Sequence, residues 1–276
     1  MSDYACTSTS NISKIFKSVL EDRGFEIHFF KLEWYNQMVS PHFILDYDNN
    51  SLCAVVLTLP EFFEKALLPF LTMESINGKN QVDVTKDAVD RCISYYVSKC
   101  KDLLEESFSL ECEVMHDYEM LPNRRPKVLV QTAAHVSGAA FYYQRKHVEK
   151  ICDNIDGVGT GNISPWPDSK KIFGVCIHPH YGGWFAIRSV IVFKNHVDLT
   201  LKQPLPVDCV HSVKDRVKLL NQFNGNWQDW KYRDIIPVKA KYSDLQMKYF
   251  STLPKHRGDL LKEMIIHHKT SNNNNV

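Results

Sequence analysis

The sequence predicts an α+β fold in which an antiparallel sheet is flanked by helices. In some segments apolar residues recur at helical spacing, and in others they alternate with polar residues as in a half-buried strand. The two kinds of segment do not follow one another in a regular strand–helix array. Neither a G-x-G-x-x-G run nor a P-loop occurs, which disfavours a doubly wound dinucleotide-binding fold.

The N-terminal half contains most of the strong patterns. Apolar residues from Ile12 to Leu20 have helical spacing, and Gly24 follows as a stop signal. Pro60 is placed to open a short helix. Phe108, Leu110, Cys112 and Val114 alternate with polar residues as in a strand. The predicted elements of this half are helices over 12–20, 61–67 and 88–103 and strands over 25–32, 52–59 and 108–114.

The C-terminal half is less regular. Residues 127–145 favour a helix, although Thr132 and Gly138 dilute the pattern. Residues 173–178 and 184–193 are typical of two strands, and the Gly182-Gly183 pair between them predicts a hairpin. Beyond Pro206 the pattern is helical to about residue 268, and the asparagine-rich end predicts disorder. The predicted loops cover 49–50, 76–81 and 157–169.

Composition excludes several classes of protein. The net charge of the 276 residues is +1, so neither nucleic acid nor an anionic membrane surface is an expected partner. No apolar run approaches the roughly 18 residues of a membrane span, and no secretory signal is visible. The 8 cysteines form no C-x-x-C pair, which argues against a zinc ribbon or a redox dithiol. We therefore expect reduced thiols and a cytoplasmic protein.

Two runs combine arginines, histidines, aromatic residues and small residues in an apolar setting. The first extends from Pro122 to Val136, and the second from Cys176 to Arg188. A buried arginine is costly unless an anion or a dense set of acceptors meets it. Small residues such as those over 133–140 leave room for a broad molecule close to the backbone. Together the runs indicate a large ligand with negative groups.

Each of these residues also has a structural interpretation. Arg188 is either an anion clamp or an edge-strand residue in water. Arg233 has Asp229 and Asp234 nearby as ion-pair partners, and Arg257 fits a solvated helix. His135 and His178 are either ligand contacts or satisfied structural histidines, and Cys176 is either a buried inert thiol or a nucleophile. The segment 122–126 is either a rigid exposed turn or an arm that inserts into another surface.

Residues 16–261 resemble the cblC-type cobalamin-processing (MMACHC) family. Besides the two runs, the resemblance rests on short motifs across the chain. These motifs are Trp34-Tyr35-Asn36, Pro69-Phe70-Leu71, Asp117-Tyr118-Glu119, Trp227-Gln228-Asp229-Trp230 and Tyr249-Phe250-Ser251-Thr252. The family fold resembles that of flavin-dependent nitroreductases, with an added C-terminal cap. The resemblance therefore implies a flexible N-terminus over 1–11, a cobalamin-processing domain over 12–268 and a disordered tail over 269–276, with the nitroreductase-like core about 12–200 and the helical cap about 201–268.

The resemblance implies intracellular vitamin B12 processing. Cobalamin would bind base-off and lose its upper axial ligand, either by alkyl transfer to glutathione or by reductive decyanation. No protein side chain is expected to be catalytic, because the glutathione thiolate is the nucleophile. The implied glutathione-binding residues are Arg188, Arg233 and Arg257. The implied cobalamin contacts are His135, Tyr142, Gln144, Phe173, Cys176 and Ile187.

Other expectations follow from the same resemblance. Electrons for decyanation would come from a thiol or from reduced FMN or FAD. The loop Pro122, Asn123, Arg124, Arg125 and Pro126 would form a ligand-promoted homodimer contact. A cblD-type adaptor and methionine synthase would be protein partners. Phe173 departs from the family, which has a serine there. The chain also lacks the D-x-H-x-x-G motif by which other cobalamin proteins supply a lower ligand. The alternatives are a flavin-dependent nitroreductase-like oxidoreductase and a non-catalytic cobalamin carrier.

Overall fold

A computed structural model describes residues 8–76, 87–149 and 164–273. Its centre is a four-stranded antiparallel sheet in the order β1-β2-β6-β3, and two further strands, β4 and β5, pair separately. The strands are β1 (Phe25–Lys31), β2 (Ser51–Thr58), β3 (Cys112–His116), β4 (Phe141–Tyr143), β5 (Val175–Ile177) and β6 (Ala186–Val197). The prediction of an antiparallel sheet with flanking helices is confirmed.

The centre of the sheet is strand β2, all eight residues of which are buried. Its Val55 lies opposite His28 of β1 and Val190 of β6. Strand β6 is 12 residues long and pairs with both β2 and β3. A strand that is buried on both faces needs helices on both faces of the sheet.

Helices cover both faces. On one face, α1, α3, α4 and α8 contribute to a large apolar cluster that includes Phe16, Phe63 and Ile93. On the other face, α2 and α5 pack against Val55 and Val190. The helices are α1 (Thr9–Val19), α2 (Leu32–Asn36), α3 (Leu68–Ile76), α4 (Ala88–Phe108), α5 (Val130–Val136), α6 (Val213–Asn226), α7 (Asp244–Ser251) and α8 (Pro254–Asn273). A third cluster joins β4 and β5 to α6.

Helix α4 shows why the sequence forms a helix at this point. The Asp87 side chain accepts a hydrogen bond from the backbone N–H of Val89 at 2.9 Å, which satisfies one free donor of the first turn. Buried residues then recur at helical spacing along one face. The helix ends at Ser109, which has a φ of 53°. Helix α4 therefore extends five residues beyond its predicted end and includes Phe108, so that strand β3 begins only at Cys112.

The predicted helix over 127–145 is wrong for more than half of its length. Helix α5 ends at Val136, and Gly138 follows with a φ of 78° in the left-handed region. The aromatic run after it is strand β4, in which Tyr142 pairs with Cys176. A glycine at positive φ stops the helix, and the β-favouring residues Phe141–Tyr143 then join a strand.

The predicted hairpin is also wrong, although its turn exists. The backbone N–H of His178 donates to the carbonyl of Gly182 at 2.8 Å, and the reverse bond is 2.9 Å long. Beyond the turn the chains separate, because β5 pairs with β4 whereas β6 enters the main sheet. The sequence signals the turn, but the choice of strand partner depends on distant residues.

Several boundaries differ in smaller ways. Helices α2 and α3 were not predicted. The C-terminal region is helical only from Val213 and is interrupted again before α7, because residues 199–211 and 235–243 form no helix or strand. Helix α8 continues to Asn273, so residues 269–273 of the predicted disordered tail are helical. Residues 1–7 of the predicted flexible N-terminus, the predicted loop residues 77–81 and 157–163, and residues 274–276 lie outside the described residues. Across the described ranges, we find no helix with both the length and the apolar character needed to cross a membrane.

Candidate functional site

A cavity of about 620 Å³ lies where the start of β6 meets helices α4, α7 and α8. This volume is typical of a small-molecule site. Its walls are mostly aromatic and aliphatic, and three arginines line it. The lining residues are Thr58, Phe62, Val89, Ala186, Arg188, Trp227, Gln228, Trp230, Arg233, Tyr242, Gln246, Phe250, Ser251, Thr252, Leu253, Pro254 and Arg257.

Arg188, in strand β6, is held by two carboxylates. Its Nη1 donates to Asp117 Oδ2 at 3.0 Å, and its Nη2 donates to Asp90 Oδ1 at 2.9 Å. The side chain is only 15% exposed, so Arg188 is not an edge residue in water. Its Nε is buried and, among the described residues, has no hydrogen-bond partner. The two aspartates thus fix the Arg188 guanidinium, and the Arg188 side chain lines the cavity.

Arg233 lies in an aromatic cage. Its guanidinium carbon is 5.1 Å from the ring centre of Tyr242, 5.2 Å from that of Trp230 and 5.6 Å from that of Trp184. Aromatic faces attract a cation without neutralising its charge. The neighbouring acidic residues Asp229 and Asp234 form ion pairs with Lys231 and Lys241 instead. The ion pairs that the sequence offered as an alternative for Arg233 are therefore not formed.

Two glycines allow Arg233 to reach this position. The Arg233 Nη1 donates to the carbonyl of Gly183, and the Gly183 N–H donates to the carbonyl of Arg233 at 3.0 Å. A Cβ at Gly182 would lie 2.2 Å from the Arg233 carbonyl oxygen, and Gly182 has a φ of 57°. The Gly182-Gly183 turn is therefore needed for the close approach of two backbones as well as for its own geometry.

Arg257, in the first turns of α8, completes the set. Its Nε donates to the carbonyl of Thr252 at 3.0 Å, and its guanidinium carbon lies 5.0 Å from the ring centre of Tyr249. Its Nη1 forms an ion pair with Asp87 at 3.3 Å. The side chain is 21% exposed, which contradicts a fully solvated position. Residues from distant parts of the chain thus bring three cations to one cavity.

The charges around the cavity are matched. Three guanidinium groups are accompanied by the carboxylates of Asp87, Asp90 and Asp117. Burial raises the pKa of Asp117 to about 6, a rise that Arg188 opposes and Asp90 reinforces. Burial also raises the pKa of Asp90, against the attraction of Arg188. An anionic ligand in this cavity would therefore share the arginines with the aspartates.

Four of the residues expected at the corrin ring lie together around β4 and β5. His135 Nδ1 accepts a hydrogen bond from the Tyr142 N–H at 3.2 Å, and Tyr142 is the strand partner of Cys176. A Cβ at Gly174 would lie 2.6 Å from Tyr142 Cε2 and 3.0 Å from Gln144 Cγ, which shows how closely these groups pack. Burial lowers the pKa of His135. The histidine is therefore neutral at pH 7.

The remaining two residues of that set differ in exposure. Ile187 packs in the cluster that contains Cys176, whereas Phe173 is 57% exposed. The Lys171 ammonium lies 4.7 Å from the centre of the Phe173 ring. The Phe173 backbone exchanges two hydrogen bonds with Asn224 of α6, so its position is fixed although its ring is exposed. Phe173 is thus accessible to a large ligand.

Two expectations at this site require correction or restriction. The small residues Ala133, Ala134, Ala139 and Ala140 are buried against the sheet, so they do not form an open platform. Cys176 is buried, its Sγ donates to the carbonyl of Gln131 at 3.7 Å, and burial raises its pKa. A thiol with a raised pKa is a poor nucleophile, and this favours the interpretation of Cys176 as an inert residue.

The segment 122–126 is an exposed turn. The Arg124 N–H donates to the carbonyl of Leu121 at 2.8 Å, and Arg124 has a φ of 61°. Met120 and Pro126 form a bridge at its base. Met120 and Leu121 are exposed at 56% and 36%. The turn therefore projects an apolar and cationic surface.

Sequence reasoning missed the acidic partners of the arginines. Asp90 lies in α4 and Asp117 directly follows β3, and neither is close to Arg188 in sequence. The Asp117-Tyr118-Glu119 motif supports the family resemblance, but the sequence alone does not indicate that Asp117 binds Arg188. Sequence reasoning also left His178 open. It is buried and bonds to Glu26 at 3.1 Å, and Glu26 bonds to His28 at 2.7 Å. His178 is thus a satisfied residue that anchors the turn before Gly182.

Comparison with known proteins identifies the family. The model of the methylmalonic aciduria and homocystinuria type C (MMACHC) family matches residues 24–261. This chain belongs to the MMACHC family. The resemblance inferred from the sequence is therefore confirmed.

Its MMACHC relatives are similar over most of their length. A cyanocobalamin reductase / alkylcobalamin dealkylase from Gallus gallus is 47% identical over 238 residues, which are 86% of this chain and 90% of that protein. The protein of the same name from Homo sapiens is 42% identical over 86% of this chain and 76% of its own length. The crystal structure of the Caenorhabditis elegans B12-trafficking protein CblC, 30% identical, superposes with a TM-score of 0.77 over 91% of this chain and 94% of that one.

Proposed function

We propose that this chain is a cyanocobalamin reductase and alkylcobalamin dealkylase that processes vitamin B12 in the cytoplasm. The family supports the two activities. The observation that carries the glutathione part of the proposal is the convergence of Arg188, Arg233 and Arg257 on one cavity. Glutathione has two carboxylates, and guanidinium groups bind carboxylates with paired, charge-assisted hydrogen bonds.

Dealkylation in this proposal is catalysis by positioning. The arginines hold glutathione so that its sulfur faces the cobalt-bound carbon of the substrate. Nearby guanidinium groups also favour the thiolate. The thiolate forms a new S–C bond to the alkyl group, and the two electrons of the Co–C bond stay with cobalt. The products are cob(I)alamin and an S-alkyl glutathione, and no side chain changes its covalent state.

Decyanation uses an added electron. Cyanocobalamin takes up one electron, releases cyanide and becomes cob(II)alamin. In this proposal the electron comes from a thiol or from reduced FMN or FAD that acts as a diffusible reductant. The resemblance implies a core similar to flavin-dependent nitroreductases, and we propose this core because it fits a reduced flavin as the electron donor. An oxidoreductase without cobalamin activity and a non-catalytic carrier are the competing functions.

The corrin is proposed to bind beside β4 and β5. The exposed ring of Phe173 and the half-buried side chains of His135, Tyr142 and Gln144 support this location. Cys176 and Ile187 would form the apolar layer beneath them. The neutral His135 is a hydrogen-bonding contact in this proposal.

The proposed function predicts two spectral events with methylcobalamin. Binding is expected to shift the spectrum to the base-off form, as the family resemblance implies, and no histidine of a D-x-H-x-x-G motif is present to replace the displaced lower ligand. Anaerobic addition of glutathione is then expected to give cob(I)alamin and S-methylglutathione in equal amounts. Bound methylcobalamin that stays intact would favour the carrier, and a yellow protein with no effect on the corrin spectrum would favour the nitroreductase-like alternative.

The loop of residues 122–126 is proposed to contact a second copy of the chain when ligand is bound. Replacing Arg124 and Arg125 together by alanine is expected to lower the dimer fraction in sedimentation experiments with cobalamin, because the exposed turn loses its two cations. The control is Lys17→Ala, which changes an exposed cation outside the turn and away from the proposed corrin contacts. Equal dimer fractions for the double variant and the parent would contradict this contact. The cblD-type adaptor and methionine synthase are proposed as further partners on family grounds.

A further inference from the structure

The arginines of the cavity are already engaged before an anionic ligand arrives. Arg188 binds Asp90 and Asp117 at once, so this group of three residues carries a net charge of −1 when both aspartates are ionised. Arg257 is matched by Asp87. With Arg233 included, three positive and three negative charges surround the cavity. A ligand with two carboxylates therefore enters a site with no excess of positive charge.

The group formed by Arg188, Asp90 and Asp117 also contains polar atoms without hydrogen-bond partners. Arg188 Nε and Asp117 Oδ1 are both buried and, within the described ranges, have no hydrogen-bond partner. A buried polar atom without a partner costs free energy, and a proton on a buried carboxylate removes the cost of keeping its charge away from water. A proton on Asp117 Oδ1 would remove one negative charge without breaking the Oδ2 bond to Arg188.

We propose that Asp117 is a positioning residue that takes up one proton from solvent when a dicarboxylate such as glutathione binds to Arg188. This inference rests on the proposed function, because it concerns the same cavity. No covalent bond changes, and the proton comes from water or buffer. Asp90 remains ionised and keeps the guanidinium in place.

The other titratable groups around Asp117 are not proposed to take up the proton. Burial lowers the pKa of His116, whose ring bonds to Ser189 of β6. Burial raises the pKa of Tyr118, which bonds to Ser94 of α4. Glu119 follows in the same turn, where it pairs with Lys127 at the surface. Across the cavity, the charged groups are Arg233 and the Asp87–Arg257 pair.

The expected pH dependence follows from the free protein. With the pKa of Asp117 at about 6, it is half protonated at pH 6 and only about 1% protonated at pH 8. If the protonated form is the one that binds, the apparent affinity falls by that fraction. The affinity for the ligand is therefore expected to fall roughly 50-fold from pH 6 to pH 8.

The test uses S-methylglutathione, which keeps both carboxylates but has no titratable thiol. Isothermal titration of the full chain at pH 6, 7 and 8, in two buffers with different ionisation enthalpies, measures both the affinity and the protons taken up. The parent protein is expected to take up close to one proton per ligand at pH 8. Asp117→Asn is expected to take up none, to show little pH dependence and to bind about 50- to 100-fold more tightly than the parent at pH 8.

Two further variants keep the test decisive. Asp168→Asn is the matched control, because Asp168 also pairs with an arginine, Arg145, which does not line the cavity; it should behave as the parent. If Asp117→Asn fails to fold, Asp90→Asn provides the second measurement. It removes the like charge that helps to raise the pKa of Asp117, so the pH at which the affinity begins to fall should lie below that of the parent. Binding by the parent with a pH-independent affinity would overturn this inference alone. Binding at no pH would overturn both it and the proposed glutathione site.

Discussion

Replacing any one of Arg188, Arg233 and Arg257 by glutamine is expected to raise the apparent glutathione dissociation constant by one to two orders of magnitude. Loss of one charge-assisted contact costs roughly 1.5–3 kcal/mol, and each 1.4 kcal/mol corresponds to a factor of about ten. Base-off cobalamin binding should persist, because none of the three arginines is among the proposed corrin contacts. The measurement is the glutathione dependence of methyl transfer at saturating methylcobalamin.

The control for this prediction is Arg23→Gln. Arg23 bonds to the carbonyl of Val19 at 2.7 Å and does not line the cavity. A structural role for the three arginines predicts a different pattern. Each variant would then lose cobalamin binding and melting temperature together, with no selective effect on glutathione. That outcome would refute the clamp.

Gly182→Ala is expected to weaken both the fold and the site. The residue has a φ of 57°, and a Cβ there would lie 2.2 Å from the Arg233 carbonyl oxygen and 2.9 Å from Val238 Cγ1. Left-handed geometry alone costs a non-glycine residue about 1–3 kcal/mol. Relief of the clash moves the segment that carries Arg233 out of its aromatic cage. We therefore expect a lower melting temperature and at least about tenfold weaker S-methylglutathione binding.

Gly225→Ala is a matched control in helix α6. No atom lies within 4 Å of a Cβ at that position. Alanine is favoured over glycine in a helix by up to about 1 kcal/mol, so this variant should melt at or above the temperature of the parent. Equal melting temperatures for the two variants would show that the close approach at Gly182 is unimportant.

The sequence predicted the helices and strands whose formation depends on residues close to one another in the chain. The helix around Ile12–Val19, strand β2 and the long helix that begins at Ala88 were all predicted, although α4 ends five residues later than expected. Two predictions failed where long-range pairing decides the outcome. Residues 141–143 pair with β5, and β6 leaves its expected partner for the main sheet. Neither choice is visible within a window of a dozen residues.

At the candidate site, too, sequence motifs predicted some residues, whereas contacts between distant parts of the chain were not predicted. The three arginines were found by resemblance, and their convergence depends on β6, residues 227–233 and the start of α8 lining the same cavity. Asp90 and Asp117 were not found, because 98 and 71 residues separate them from Arg188 and no sequence motif joins them. Only one of the two roles of the Gly182-Gly183 pair was predicted from the sequence. The turn was predicted, but its contact with the backbone of Arg233 depends on tertiary packing.

The central claim is that the three arginines recognise the carboxylates of glutathione. The most direct measurement compares the rate of methyl transfer from bound methylcobalamin to glutathione and to glutathione diethyl ester, over a range of thiol concentrations. The ester has the same thiol but lacks both negative charges. We predict a fast rate that saturates with glutathione, and a slower rate that rises linearly with the ester. Equal rates with the same concentration dependence would contradict the claim.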